Sequence, residues 1–119
     1  MKRTPLRRKP QDDAVSEALW NAVWIRDVAV AGGCVARHLG APGECRNVWG
    51  DPANDSMGNP LRSAMTVDHV PEGYSTMGKR APSDMSHLVL TCYAHHLGGW
   101  STSHRPELRE YLEKFRRAA

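Results

Sequence analysis

The 119-residue sequence contains only three cysteines and no long apolar segment. An odd number of cysteines argues against a disulfide framework and indicates free thiols in a reducing compartment. No apolar run follows the charged amino terminus, so we expect neither a signal peptide nor a membrane span. The length suits one domain with a modest core. These features differ from those of a disulfide-stapled secreted domain or a membrane-spanning protein.

Basic residues are concentrated at the two ends of the chain. The net charge of +3 arises from 16 Lys and Arg against 13 Asp and Glu. Five of the 16 lie in residues 1–9 and five in residues 105–117, so the stretch 10–104 is net −4. Basic ends favour a polyanionic partner, although such tails can also serve solubility alone. Residues 1–13 are polar and interrupted by prolines, which predicts a basic disordered arm before a single domain at 14–119.

Apolar periodicity predicts a helix near each end of this domain. The first runs from Ala14 to about Val28 and ends before Gly32-Gly33. Its predicted core face comprises Val15, Ala18, Leu19, Ala22, Val23 and Ile25, and we expect Trp20 and Trp24 to be core anchors. The second runs from Arg105 to about Arg117 and carries an apolar stripe of Leu108, Tyr111, Leu112 and Phe115.

Two short apolar runs in the middle of the chain, ending at Val70 and Cys92, predict strands. A short helix is expected from near Cys92 to the break at Gly98-Gly99. Residues 46–62 show no periodicity and predict a loop, and no internal repeat is evident. The pattern indicates an α+β fold with little strand and much loop.

Six metal-capable residues lie near the ends of the two predicted strands: Asp68, His69, His87, Cys92, His95 and His96. Cys92-x2-His95 has the spacing of a zinc half-site, and Cys34 with Cys45 can supply the other half. Their separation is wider than usual, and His38 is a rival ligand through Cys34-x3-His38. Three unrelated buried thiols are the alternative, because free cysteine is often buried. A small loop-rich domain needs such a staple, so we favour Cys34, Cys45, Cys92 and His95.

Adjacent residues on a helix point about 100° apart, so His95 and His96 cannot easily serve one ion. If His95 faces the zinc, His96 faces the strand that ends in Asp68-His69. We therefore expect Asp68 and His96 to hold a second divalent ion with several waters on it. Because neighbouring strand residues point to opposite faces, His69 would stand beside that ion without binding it. A neutral imidazole there can take a proton from water.

These motifs resemble those of the HNH endonucleases, the ββα-metal nucleases, and especially the small zinc-containing HNH proteins of bacteriophages. The family has Asp-His on a first strand, an Asn or His before an apolar run, and then Cys-x2-Cys-His. Here the pattern reads Asp68-His69, then His87, then Cys92-Tyr93-Ala94-His95-His96. Arg26-Asp27 before Gly-Gly-Cys-Val is similar to the family's entry to its first zinc knuckle. The likeness spans roughly residues 15–100, but His87 replaces Asn, His95 replaces Cys and the first knuckle is stretched.

The resemblance implies a ββα-metal, treble-clef-like core with a structural Zn²⁺, flanked by an N-terminal and a C-terminal helix. It also implies a DNA endonuclease with His69 as general base and Mg²⁺ or Mn²⁺ on Asp68 and His96. His87 would orient either the Asp-His loop or the metal. Lys79 and Arg80 would contact DNA phosphates. A phage origin implies action in the bacterial cytoplasm beside a packaging terminase. The alternatives are a catalytically silent, zinc-stabilised DNA-binding module, and a purely structural or assembly protein.

Overall fold

The computed structural model describes residues 15–71 and 82–118, so the predicted arm at 1–13 lies outside the described residues. Within these described residues, two strands and six helical segments follow one another and confirm the expected α+β class. In order they are α1 (Glu17–Ala31), α2 (Val35–His38), a 3₁₀ helix (Arg62–Ala64), β1 (Met65–His69), β2 (Leu88–Cys92), α3 (Tyr93–Leu97), α4 (Trp100–Ser103) and α5 (Arg105–Ala118).

Helix α1 begins at Glu17, three residues later than predicted, and extends to Ala31, ending before Gly32 as predicted. The Ser16 side chain accepts a hydrogen bond from the Leu19 N–H (3.1 Å), and Gly32 ends the helix with a φ of 78° that side chains disfavour. Trp20 and Trp24 pack against the core, as expected. The placement of Ala18 and Ile25 on the core face is wrong, because both residues are exposed, Ile25 to 68%. The buried side of α1 instead includes a charged residue, Asp27.

Strands β1 and β2 form a two-stranded antiparallel sheet in which Met65 faces Cys92 and His69 faces Leu88. All five residues of β2 are buried, whereas β1 is half-buried beyond its first residue. Successive β2 side chains enter different core clusters, Leu88 in one and Val89 in the other, because strand side chains alternate between faces. This register places Asp68 and His69 at one end of the sheet and Cys92 at the other.

Among the described residues no strand lies beside the second edge of β2, and its backbone groups are satisfied by side chains. Asp27 Oδ2 accepts from the Leu90 N–H (2.9 Å), and Cys34 Sγ accepts from the Cys92 N–H (3.3 Å). The Arg26 guanidinium donates to the Leu88 carbonyl. Residues 88, 90 and 92 all turn their backbone groups to this edge, because the direction alternates along a strand. A buried edge without such partners would be costly.

The segment after Cys45 is a loop, as predicted, but it contains two matching hairpins whose backbone repeat the sequence did not reveal. The first hairpin (residues 46–52) and the second (residues 54–60) are bridged at their ends by Arg46–Pro52 and Asn54–Pro60 pairing. Their sequences, RNVWGDP and NDSMGNP, share only Gly, Pro and two Asn-or-Asp positions. The repeat escapes detection because backbone contacts define it, and identical side chains do not.

Helix α5 packs along the core as predicted, with Leu108, Tyr111 and Leu112 buried and Phe115 packed against them. The predicted strand and short-helix positions around Cys92 are also confirmed, since α3 begins directly after it and ends before Gly98. Among residues 15–71 and 82–118, no helix combines the length and apolar character needed to cross a bilayer.

Candidate metal centre

Four predicted ligands, Cys34, Cys45, Cys92 and His95, meet in one buried cluster. Their ligand atoms all lie within 4.8 Å of one another, which confirms that these residues are placed to hold a metal ion. Cys34 precedes α2, and Cys92 ends β2 and caps α3, where its sulfur accepts from the His95 N–H (3.4 Å). The strand-to-helix turn thereby brings Cys92 and His95 together. Cys34 joins them from the residue before α2, and Cys45 joins them from the chain after α2.

The orientation of the His95 ring suits metal binding. Its Nδ1 lies 3.1 Å from Cys92 Sγ, 3.5 Å from Cys34 Sγ and 3.9 Å from Cys45 Sγ. Its Nε2 lies 2.9 Å from the Pro42 carbonyl oxygen, so Nε2 carries the proton and the Nδ1 lone pair faces the thiols. Tetrahedral zinc ligands stand about 3.5–3.8 Å apart, given bonds of about 2.0–2.3 Å. The donor set and its spacing therefore fit zinc.

The three thiols cannot all ionise without a cation. Hydrogen bonds with Cys34 and Cys45 hold the pKa of Cys92 far below its usual range. Hydrogen bonding to Cys34 and Cys92, together with burial, raises the pKa of Cys45. Buried sulfurs this close can share one negative charge, but further charges repel each other strongly. A bound divalent metal would remove that repulsion and bind the thiolates.

His38, the rival ligand, does not join the cluster. It is exposed, and its ring lies edge-on to Tyr111 with centroids 6.1 Å apart. Together with Arg37 it lines a cleft of about 300 Å³ beside Cys34 and Cys45. The pairing Cys34-x3-His38 is therefore not adopted, because the one-turn helix α2 turns the His38 side chain away from the sulfurs.

His96 points away from the thiols and towards Asp68, as expected for adjacent helical residues. Its Nε2 lies 3.4 Å from Asp68 Oδ1, with side chains 30% and 14% exposed. Its Nδ1 is buried and has no hydrogen-bond partner among the described residues. Two ligands of a six-coordinate ion, at about 2.1 Å each, would stand about 3.0 Å apart. A small side-chain movement would thus let Asp68 and His96 share a divalent ion.

His69 lies beside Asp68 in sequence but contacts a different residue. Its Nε2 is 3.0 Å from the Ser83 hydroxyl oxygen, in the segment that leads to β2. This separation of partners agrees with the opposite directions expected for neighbouring strand residues. Sequence reasoning did not identify Ser83, which no motif marks.

His87 is held by its own loop. Its Nδ1 lies 2.7 Å from Asp84 Oδ1 and 3.0 Å from Ser86 Oγ, while its carbonyl oxygen accepts from the Val70 N–H (2.7 Å). Burial opposes the ionisation of Asp84, but hydrogen bonds from His87 and Ser86 lower its pKa. The backbone of His87 thus adjoins the end of β1, directly after His69.

Arg109 of α5 is a site-forming residue that the sequence did not reveal. Its guanidinium donates to the carbonyl oxygens of Val70 (3.1 Å) and Ser86 (2.5 Å). It therefore joins the two segments that carry His69 and His87. The one signal in the sequence is the position of Arg109 next to the apolar stripe of α5, which could have suggested that its side chain points into the domain. Lys79 and Arg80, the predicted phosphate contacts, lie outside the described residues.

No protein-family model matches this chain, and searches of curated proteins and of solved structures also found no match.

Proposed function

We propose that the protein is a metal-dependent DNA endonuclease of the HNH type, with a ββα-metal core stapled by zinc. One observation carries this proposal: adjacent residues His95 and His96 enter two different clusters. His95 joins three thiols, and His96 approaches a carboxylate at the end of β1. A purely structural metal does not require the Asp68–His96 pair, and the presence of this pair beside His69 supports the nuclease.

Asp68 and His96 supply one oxygen and one nitrogen donor, a set that suits Mg²⁺ or Mn²⁺ with several waters. Both side chains are partly exposed, so a DNA phosphate has access to them. A divalent ion bound there would stabilise negative charge on the phosphate and on the departing oxygen. Asp68 and His96 would then fix where the scissile phosphate lies.

His69 is assigned as the general base. Its Nε2 lies within hydrogen-bond distance of a hydroxyl group, that of Ser83 (3.0 Å), and a water that took the place of this hydroxyl could donate to Nε2. Removal of a proton by His69 lets the water oxygen attack phosphorus, the bond to the 3′ oxygen breaks, and the departing 3′ oxygen takes a proton from solvent water. The products carry 5′-phosphate and 3′-hydroxyl ends.

His87 is assigned a positioning role. Its carbonyl oxygen binds the backbone of Val70, the residue after His69, while Asp84 and Ser86 hold its ring. Arg109 supports the same junction from α5. The basic chain ends, Lys79 and Arg80 would hold DNA phosphates without reading sequence. The same proposal places the protein in a phage-infected bacterial cell, beside a packaging terminase.

The test is cleavage of supercoiled plasmid by zinc-loaded protein at low salt, with and without Mg²⁺ or Mn²⁺. We expect conversion to open-circle or linear DNA only when the divalent ion is present. His69→Ala should lower the rate by roughly two to four orders of magnitude, the usual contribution of a general base, with zinc content and DNA affinity nearly unchanged.

Two variants control for the assignment of the clusters. His96→Ala should abolish cleavage and weaken Mn²⁺ binding while zinc is retained, whereas His95→Ala should release zinc. The reverse outcome would mean that the two histidines are exchanged. If the protein binds DNA but does not cleave it, either with or without the divalent ion, the proposal of a nuclease would give way to that of a catalytically silent, zinc-stabilised binding module.

A further inference from the structure

The two hairpins after Cys45 are copies of one backbone design, displaced by eight residues. In the first, Asn47 Oδ1 accepts from the N–H groups of Trp49 and Asp51, both at 2.9 Å. In the second, Asp55 Oδ1 accepts from Met57 and Asn59, again at 2.9 Å. The side chain of the first residue of each hairpin also donates to a glycine carbonyl. Arg46 donates to Gly50, and Asn54 donates to Gly58.

The backbone hydrogen bonds repeat with the same spacing and join the hairpins in series. The Ala53 N–H donates to the Cys45 carbonyl (3.0 Å), and the Leu61 N–H donates to the Ala53 carbonyl (2.8 Å). Cys45, a predicted metal ligand, therefore anchors the first hairpin, and the first hairpin anchors the second. The Ala94 N–H also donates to the Arg46 carbonyl, which ties the repeat to α3.

Each hairpin presents a large apolar side chain at its tip. Trp49 is 82% exposed and Met57 is 83% exposed, and they occupy equivalent positions in the repeat. A rigid loop loses little conformational entropy when its tip binds, so these tips are pre-organised for contact. Tryptophan is enriched among residues that dominate binding energy, and methionine adapts to irregular pockets. Two large apolar side chains exposed at equivalent positions of two connected, hydrogen-bonded loops are the observation from which we argue a docking surface.

The charge around the tips indicates what kind of partner they contact. Residues 44–61 carry three carboxylates, Glu44, Asp51 and Asp55, against one guanidinium, Arg46, which is itself paired with Glu44 at 2.8 Å. This net −2 segment would repel nucleic-acid phosphates, which are normally met by Lys and Arg around an apolar wedge. A two-fold contact between identical tips would also bring like charges together.

We propose that Trp49 and Met57 dock into a protein partner whose surface offers an apolar pocket flanked by Lys or Arg. Docking by Trp49 and Met57 is independent of the proposed nuclease chemistry, because neither residue belongs to the zinc cluster or to the Asp68–His96 pair. The partner's cations meet Asp51 and Asp55, and its pocket receives the two tips.

The test uses a random 12-residue peptide library displayed on filamentous phage, selected on the zinc-loaded full chain. Binders to the Trp49→Ser/Met57→Ser double variant are subtracted. We expect the remaining peptides to be enriched in Arg or Lys together with apolar residues. A synthesised representative should bind the double variant about tenfold or more weakly, as expected for the loss of hot-spot side chains.

The chain offers matched controls for both parts of the proposal. Ile25→Ser removes another exposed apolar side chain, 68% exposed on α1, and should change affinity by less than about twofold. Asp51→Asn/Asp55→Asn removes two charges but keeps the turns, because Asn59 and Asn47 occupy the equivalent positions in the other hairpin. This charge variant should bind the peptide several-fold more weakly and with a smaller salt dependence.

Three outcomes would overturn the proposal. Selection could yield no tip-dependent peptides, or only acidic ones. Binding of a labelled 20-nucleotide oligonucleotide, measured by fluorescence anisotropy of the label, could require the tips, which would assign them to nucleic acid. Sedimentation could show self-association of the wild-type chain that the double variant loses, which would assign them to a second copy. In each of these experiments, the circular dichroism spectrum and the zinc content of the double variant should match those of the wild type.

Discussion

Asp27 is the residue on which the packing of α1, β2 and α5 converges. Its fully buried carboxylate pairs with Arg26 (2.8 Å) and accepts from the Leu90 N–H and from the Tyr111 hydroxyl (2.7 Å). A buried charge is tolerated only when paired and hydrogen-bonded, and here several partners share it. Removal of any one partner should therefore destabilise the fold more than an equivalent surface change.

The first prediction concerns Tyr111→Phe, which removes the hydroxyl that donates to Asp27. At neutral pH the substitution should lower the free energy of unfolding by about 1–3 kcal/mol, the range for a hydrogen bond to a buried charged group. Burial, and then the charge of Asp27, raises the pKa of Tyr111 well above its usual value. Urea unfolding monitored by circular dichroism measures the change.

The pH dependence of that difference supplies the control. A group whose pKa is raised by folding contributes its full stability below the unfolded pKa, which is about 10 for tyrosine, and loses it as the pH rises further. The wild type should therefore lose up to about 1.4 kcal/mol relative to Tyr111→Phe for each pH unit above 10. A difference that stays constant from pH 8 to 11 would contradict the assigned role of the buried hydroxyl.

At the scale of elements, the junction of β2 and α3 separates the two histidine-containing clusters. Cys92 ends the strand and caps the helix, so one turn later His95 faces the thiols and His96 faces β1. Two short elements thus connect a predicted structural metal to a predicted catalytic one. The geometry depends on α3 starting at residue 93, because a shift by one residue would rotate both rings by about 100°.

The second prediction compares Cys92→Ala with His95→Cys. Cys92→Ala should release about one Zn²⁺ per chain and unfold much of the domain, since it removes a ligand and the α3 cap together. His95→Cys should retain zinc, because cysteine is an equally suitable ligand. Metal analysis by mass spectrometry and thermal unfolding measure both effects. A well-folded wild-type protein without zinc would contradict the structural role of the metal.

At the scale of the whole molecule, the basic ends are not equivalent. Within residues 105–117, Arg109 is committed to the Val70 and Ser86 carbonyls, and Arg116 pairs with Glu113 at 3.0 Å. These cations already have partners inside the domain, and so contribute less to binding a polyanion than their number suggests. The five cations in residues 1–9 lie outside the described residues, and the proposed DNA contact assigns the larger share to them.

The third prediction is that deletion of residues 1–9 weakens DNA binding without abolishing metal-dependent cleavage. If all five cations contact phosphates, the slope of log affinity against log salt should fall in magnitude by up to about four or five units. Fluorescence anisotropy of a labelled duplex at several salt concentrations measures the slope. Replacement of the same five residues by Gln is the matched control for chain length. An unchanged slope would show that the arm serves solubility alone.

The sequence alone determined features that depend on neighbours in the chain. Ser16 and Gly32 mark the ends of α1 through local backbone chemistry, and the spacing of Cys92 and His95 reflects one helical turn. The choice of Cys34 and Cys45 as partners was also correct, because the chain has no other cysteines to pair with Cys92 and a site with His38 would have left Cys45 without a role. Local signals of this kind need no knowledge of the fold.

Only the tertiary structure decided which distant groups meet. No pattern in the sequence indicates that Asp27 satisfies the edge of β2, that Arg109 joins the segments after His69 and before His87, or that residues 46–60 form a repeat. Ile25 was misplaced because the periodicity of α1 was assigned from apolar residues alone, although a buried ion pair occupies part of its core face. Burial of a charge becomes favourable only when its partners arrive from other elements, and those contacts form only in the folded chain.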